Sequence, residues 1–85
     1  MTDRIAHLEA LFASLLNDAE CELSDGEREE VQHFIDHDEY GIALEAIVDV
    51  YKDKGNVPRE KIASLIAALA EAMGMHLQLL WKRAP

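Results

Sequence analysis

His33-Phe34-Ile35-Asp36-His37-Asp38-Glu39-Tyr40-Gly41-Ile42-Ala43-Leu44-Glu45 is the stretch on which the fold of this chain turns. Read as helix, Val31, Phe34 and Ile35 share one face, and His33, Asp36 and His37 fall on its flank, because residues three and four apart stack along a helix. A second apolar set begins after Glu39. Tyr40, Ala43, Leu44, Ile47, Val48 and Tyr51 repeat at near-helical spacing. Between the two sets, Asp36 to Glu39 are all polar, so the stretch reads as a helix, an acidic elbow and a second helix. Gly41, just past the elbow, reads as a point where two backbones approach closely or where the turn is relieved.

Working back from this centre, Ser24-Asp25-Gly26-Glu27 is a capping box in which Ser24 accepts from the Glu27 N–H and the Glu27 carboxylate reaches back. Asp25, Glu27, Glu29 and Glu30 also suit the positive end of the helix dipole. Ala19 to Leu23 has no period and reads as a connection. Before it, Ile5, Leu8, Phe12, Leu15 and Leu16, with Leu11 widening the stripe, predict a helix capped by Thr2 or Asp3 and ending near Asn17 or Asp18.

Working forward, the helix that begins at Glu39 or Tyr40 extends to Asp53 and loses its period at Lys52-Asp53-Lys54-Gly55-Asn56. Cations in a last turn followed by glycine are a C-terminal signature. Pro58 is expected as the first residue of a fourth helix. Ile62, Leu65, Ile66, Leu69, Met73, Leu77 and Leu80 then form the most regular apolar row in the chain, set among alanines that favour helix. Gly74 within that row predicts a close helix crossing or a break before His76. No strand alternation, repeat or linker occurs. The expectation is an all-α fold, a small single-domain antiparallel bundle of about four helices spanning residues 1–85.

A chain of 85 residues with 49% hydrophobic content supports one modest core and leaves little room for a buried catalytic cavity. Its net charge of −9 is uneven: from Asp18 to Tyr51 there are twelve acids, and Arg28 is the one base. That balance argues against nucleic acid, whose phosphates demand clustered Lys and Arg, and against anionic membrane surfaces. A basic protein partner fits it, and the alternative is a solvated face that aids solubility. The lone Cys21 forms no internal disulfide, the N-terminal residues lack a signal-peptide pattern, and the run from Ile62 to Met75 is too short to span a bilayer; a cytoplasmic location is expected.

His33, Asp36 and His37 have an H-x-x-D-H spacing that would set two imidazoles and a carboxylate toward a metal, but zinc wants a further protein ligand. His7, Cys21 and His76 are donors with nothing in the sequence to make them converge, so the expectation is flanking histidines paired with acids, and no metal or cofactor. Asp36-x-Asp38-x-Tyr40-Gly41 opens like a calcium loop and fails at Tyr40 and Ile47, where an oxygen ligand and a bidentate Glu should stand. Of the serines, Ser14 and Ser64 lie within helical patterns and Ser24 is committed to capping. None follows an aspartate at a helix start, as phosphopantetheine attachment requires in acyl carriers. With no activated nucleophile and no metal site, no enzyme is expected. Trp81 reads as a lid on the core or an interaction anchor, and Lys82-Arg83 are too few for a nucleic-acid arm.

The run Val31-Gln32 through Glu45, followed by the amphipathic pattern ending Leu69-Ala70-Glu71-Ala72-Met73-Gly74-Met75, resembles the MafI family of small bacterial immunity proteins. The resemblance covers about half of the chain directly. It implies a cytosolic antidote, encoded beside a secreted or contact-delivered polymorphic toxin, that binds the toxin's C-terminal domain and blocks it; it carries over no catalytic residue. Many such toxins are nucleases with basic clefts, which an acidic helical surface can mask. On that reading Glu27, Glu30, Asp36, Asp38, Glu39, Glu45 and Asp49 supply the charge, with Tyr40 and Tyr51 as aromatic anchors if exposed. A self-associating regulatory or scaffold module, for example a homodimer, and a metal-responsive small protein are the competing classes.

Overall fold

The apolar periods fold as five helices among the residues that the structure, a computed structural model, describes, 4–82. These are α1 (Arg4–Leu16), α2 (Asp25–Asp36), α3 (Tyr40–Lys54), α4 (Glu60–Ala72) and α5 (Leu77–Lys82), and no strand occurs among the described residues. The expected caps Thr2 and Asp3, and Arg83, lie outside them. The capping box at Ser24 forms in both directions: the Ser24 hydroxyl accepts from the Glu27 N–H at 3.2 Å, and the Glu27 carboxylate accepts from the Ser24 N–H at 2.8 Å.

Three helix ends close in the same way, with a left-handed residue and two backbone bonds folding back over the last turn. At the end of α3 the Gly55 N–H donates to the Lys52 carbonyl and the Asn56 N–H to that of Tyr51; at the end of α4 Gly74 donates to Glu71 and Met75 to Ala70. This second closure ends the long apolar row after Ala72 and restarts it as α5, so the bundle has five helices where about four were expected. At the end of α2 the left-handed position is Asp38, with φ 61°, while its N–H donates to the Ile35 carbonyl and that of Glu39 to Phe34. The elbow is therefore turned by an aspartate, a residue that tolerates this conformation better than most. Gly41 has neither role expected of it: it lies inside α3, and a Cβ added there would meet Met75 Sδ at 3.9 Å, an ordinary contact.

Pro58 also departs from expectation. Helix α4 starts two residues later, with Arg59 extended at its N-cap, and Pro58 is buried beside Tyr51 and Trp81 as a packing piece rather than a helix starter. The helices form two antiparallel pairs, the sequential hairpin α2–α3 and the non-sequential pair α1–α4. In the α1–α4 pair, the Arg4 Nη2 donates to the Ala72 carbonyl at 2.7 Å at one end, and Lys61 meets Asp18 at 2.6 Å at the other. In the α2–α3 pair, the elbow closes one end and Lys54 meets Glu27 at 3.1 Å at the other. Phe12, Leu15, Leu44, Ile47, Ile62, Ile66 and Leu69 fill the space between them, and α5 closes the side where Leu80 enters the core. The radius of gyration, 11.9 Å, is that of a fully compacted chain of this length.

Candidate interaction surface

Pairing α2 with α3 leaves a shallow groove of about 300 Å³ on their outer side. Its floor is apolar: Phe34 from α2, and Ile42, Ala46 and Val50 from α3. Phe34, Ala46 and Val50 are half-buried, whereas Ile42 is 44% exposed, high for a large aliphatic side chain. The rim is acidic on both sides, Glu30 on α2 and Glu45, Asp49 and Asp53 on α3, and none of the described residues that line the groove is a base. Three of the acids singled out in the sequence, Glu30, Glu45 and Asp49, are thus brought onto one surface.

The others are placed elsewhere. Glu27 is occupied by its own fold: the Ser24 N–H first, and Lys54 next, hold its carboxyl below the usual range. Asp36 accepts from the Gln32 side chain at 2.9 Å and lines a different groove, between α1 and α2, together with Glu9. Asp38 accepts from the Tyr40 hydroxyl at 3.3 Å, and both line a cleft with Arg4, Ile5 and Met75 toward the α1–α4 pair. Glu39 is exposed at the elbow, where its backbone closes α2. Tyr40 is half-buried, its ring stacked on Phe12 at 6.2 Å and its hydroxyl donating to Glu9 at 3.0 Å. Tyr51 does not meet the condition set for an anchor: it is 0% exposed, at the centre of the core, and its hydroxyl accepts from the Glu22 N–H at 3.0 Å.

Sequence reasoning missed Asp53 and the floor residues Ile42, Ala46 and Val50. The signal is present. Ile42, Ala46 and Val50 are spaced four apart, as are Glu45, Asp49 and Asp53, so α3 carries an apolar row and an acidic row side by side along its length.

The histidines at the elbow come close, with the rings of His33 and His37 4.3 Å apart, and the His37 Nδ1 donates to the His33 carbonyl at 2.8 Å. Asp36 is engaged by Gln32, Cys21 is buried, and among the described residues no group of three or more His, Cys, Asp or Glu is placed to hold a metal. The calcium-like opening is already helical from Tyr40 onward, so its backbone cannot wrap an ion. Ser64 is in the middle of α4. Trp81 is half-buried against the core and, with Tyr51, Val57, Pro58 and Ala63, walls an apolar pocket of about 370 Å³. No helix among the described residues is long and apolar enough to cross a membrane.

The titrating groups set the pH range of the fold. Loss of water around the Tyr40 hydroxyl, followed by its bond to Glu9, pushes it up to about 12; burial also raises Tyr51, and the Asp18 carboxylate raises Lys61. Each keeps its proton in the folded chain at a pH where the unfolded chain releases it, so stability falls as pH rises above about 10. On the acid side Asp18, held low first by Lys61, and Glu27 contribute stability above their ordinary values of 3.8 and 4.5, and it is lost as pH falls through their lowered ones. Urea midpoints are therefore expected to drop between pH 10 and 12, and Tyr40→Phe to shrink that drop; an identical alkaline profile in the variant would contradict this placement of Tyr40.

Compared with protein-family models, with curated proteins and with solved structures, the chain matches nothing.

Proposed function

We propose that this protein is a toxin-neutralising immunity protein, a cytoplasmic antidote of a contact-dependent or secreted polymorphic toxin system, that binds the C-terminal domain of its cognate toxin and blocks it stoichiometrically. The observation that carries the reading is the acid-rimmed apolar groove on the α2–α3 hairpin, which agrees with the resemblance of that hairpin to the MafI family. Such a surface combines the two properties an inhibitor of a nuclease-type toxin needs. Its negative field attracts a basic, phosphate-binding domain over distance and speeds encounter, and its partly exposed apolar floor gives a contact that loses water on binding and slows release. No bond of the toxin is cut in this mechanism, and no cofactor takes part.

Growth rescue is the test. The C-terminal domain encoded immediately upstream of this gene is expressed in a sensitive host with and without the protein. Relief of toxicity that depends on this protein supports the reading, while toxicity left unrelieved by folded protein removes it.

A second reading, a helical module that self-associates, is favoured by Val57, 86% exposed at the Trp81 pocket, and Leu79, 63% exposed on α5. Sedimentation equilibrium separates the two: a tight dimer at micromolar concentration favours the module, and a monomer favours the antidote.

A further inference from the structure

We propose that His33 and His37 together bind one late first-row divalent cation, of the Zn(II), Ni(II) and Cu(II) class, through two imidazole nitrogens at the end of α2, with water in the remaining positions. The site is independent of the antidote reading, in which no cofactor takes part.

Three observations at the elbow carry it. The first is that the two rings meet. They stand 4.3 Å apart on exposed side chains one helical turn from each other. At an interplanar angle of 46° they neither stack nor meet edge to face, so ring packing does not account for the approach. Two nitrogens each about 2.0–2.1 Å from one ion lie roughly 3 Å apart, a separation that rings this close reach by turning about the χ angles of exposed side chains. The second is the tautomer. A carbonyl only accepts, so the 2.8 Å bond between His37 Nδ1 and the His33 carbonyl puts a proton on Nδ1 and, in the neutral ring, the lone pair on Nε2. A backbone carbonyl that holds the far nitrogen of the ring is a usual support of a metal-binding imidazole. The third is the place in the helix. Helix α2 ends at Asp36 with His37 at its C-cap, where the negative end of the helix dipole favours a cation.

Donor chemistry selects the ion. Imidazole suits Zn(II), Ni(II) and Cu(II), whereas Mg(II) and Ca(II) take oxygen ligands. Asp36 and Asp38 are bonded to Gln32 and Tyr40 and are not counted as ligands. Two imidazoles fall short of the four protein ligands of a structural zinc site and the three of a catalytic one, in keeping with the absence of any metal-holding group of three or more His, Cys, Asp or Glu among the described residues. The ion is therefore exchangeable, and the fold does not depend on it. It clips the last turn of α2 to its cap, and it is held better than by a single histidine because the helix keeps the second nitrogen beside the first. His7, on α1, and His76, before α5, are exposed and belong to no such group.

The test titrates zinc chloride into the full chain, free of any affinity tag, and follows it by calorimetry and by the ring-nitrogen resonances of the histidines. One ion per chain is expected, with Nε2 of His37 shifting while its Nδ1 keeps its proton, and with no displacement by equimolar magnesium. His33→Gln and His37→Gln, both at exposed positions and checked for native circular dichroism, are each expected to lower the affinity about ten-fold or more, while His7→Gln and His76→Gln leave it unchanged. Unchanged affinity in either elbow variant, loss of binding in His7→Gln or His76→Gln, coordination through His37 Nδ1, one ion shared between two chains, or displacement by magnesium would each overturn the proposal.

Discussion

Replacing Phe12 by alanine lowers the unfolding free energy by about 3–5 kcal/mol. Phe12 is 1% exposed, is carried by α1, and its ring stacks on Tyr40 of α3, so it joins the two helix pairs rather than packing within one. Its removal leaves a cavity that neither helix pair fills alone, because each is held at both ends, α1–α4 by Arg4 and Lys61 and α2–α3 by the elbow and Lys54. A domain of this length has a total stability of about 4–13 kcal/mol, so the variant sits near the edge of folding at room temperature. Urea denaturation followed by circular dichroism measures it. A loss under about 1 kcal/mol would show that the helix pairs close over the gap, and that Phe12 does not hold them together.

Tyr51 carries the second large effect, and two substitutions separate its parts. Tyr51→Ala is expected to cost about 3–5 kcal/mol by emptying the centre of the core, since Tyr51 is the largest fully buried side chain among the described residues. Tyr51→Phe keeps the ring and removes only the acceptor of the Glu22 N–H, at a cost of about 1 kcal/mol. That hydroxyl ties the connection before α2 to α3, a region Lys54 also holds through the Glu22 carbonyl at 2.8 Å. The phenylalanine variant, being folded, is expected to bind a partner as the parent does. A partner affinity that falls with Tyr51→Phe while stability does not would return Tyr51 to the contact surface, against its complete burial.

Why one tyrosine of the pair is wholly buried and the other only partly is not a local matter. Tyr40 and Tyr51 belong to the same apolar period of α3, and nothing in their spacing ranks them. The difference comes from their neighbours: Tyr51 lies where the connection before α2, α5 and Pro58 converge, while Tyr40, at the first turn of α3, stacks on Phe12 and lines an open cleft. The acids behave alike. Glu27, Glu30, Asp36 and Asp38 are equivalent as charges in the sequence, yet Glu27 is spent on a cap and an ion pair, Asp36 faces α1, Asp38 turns the elbow and holds Tyr40, and Glu30 lines the groove.

By itself the sequence determined what depends on residues within a few positions of one another: the helical class, the capping box at Ser24, the acidic elbow and the glycine-closed end at Gly55, while at Gly74 it left a crossing and a break as alternatives. Each is decided by backbone bonds and side chains that meet inside one turn, so spacing is enough to read them. The tertiary structure alone decided which side of each helix is covered. It paired α1 with α4 and α2 with α3, buried Tyr51 and Pro58, split the acids among three surfaces, and left the Ile42, Ala46 and Val50 row of α3 facing outward beside Glu45, Asp49 and Asp53. A helix of period 3.6 presents several apolar rows, and only the elements that pack against it select the one that becomes core.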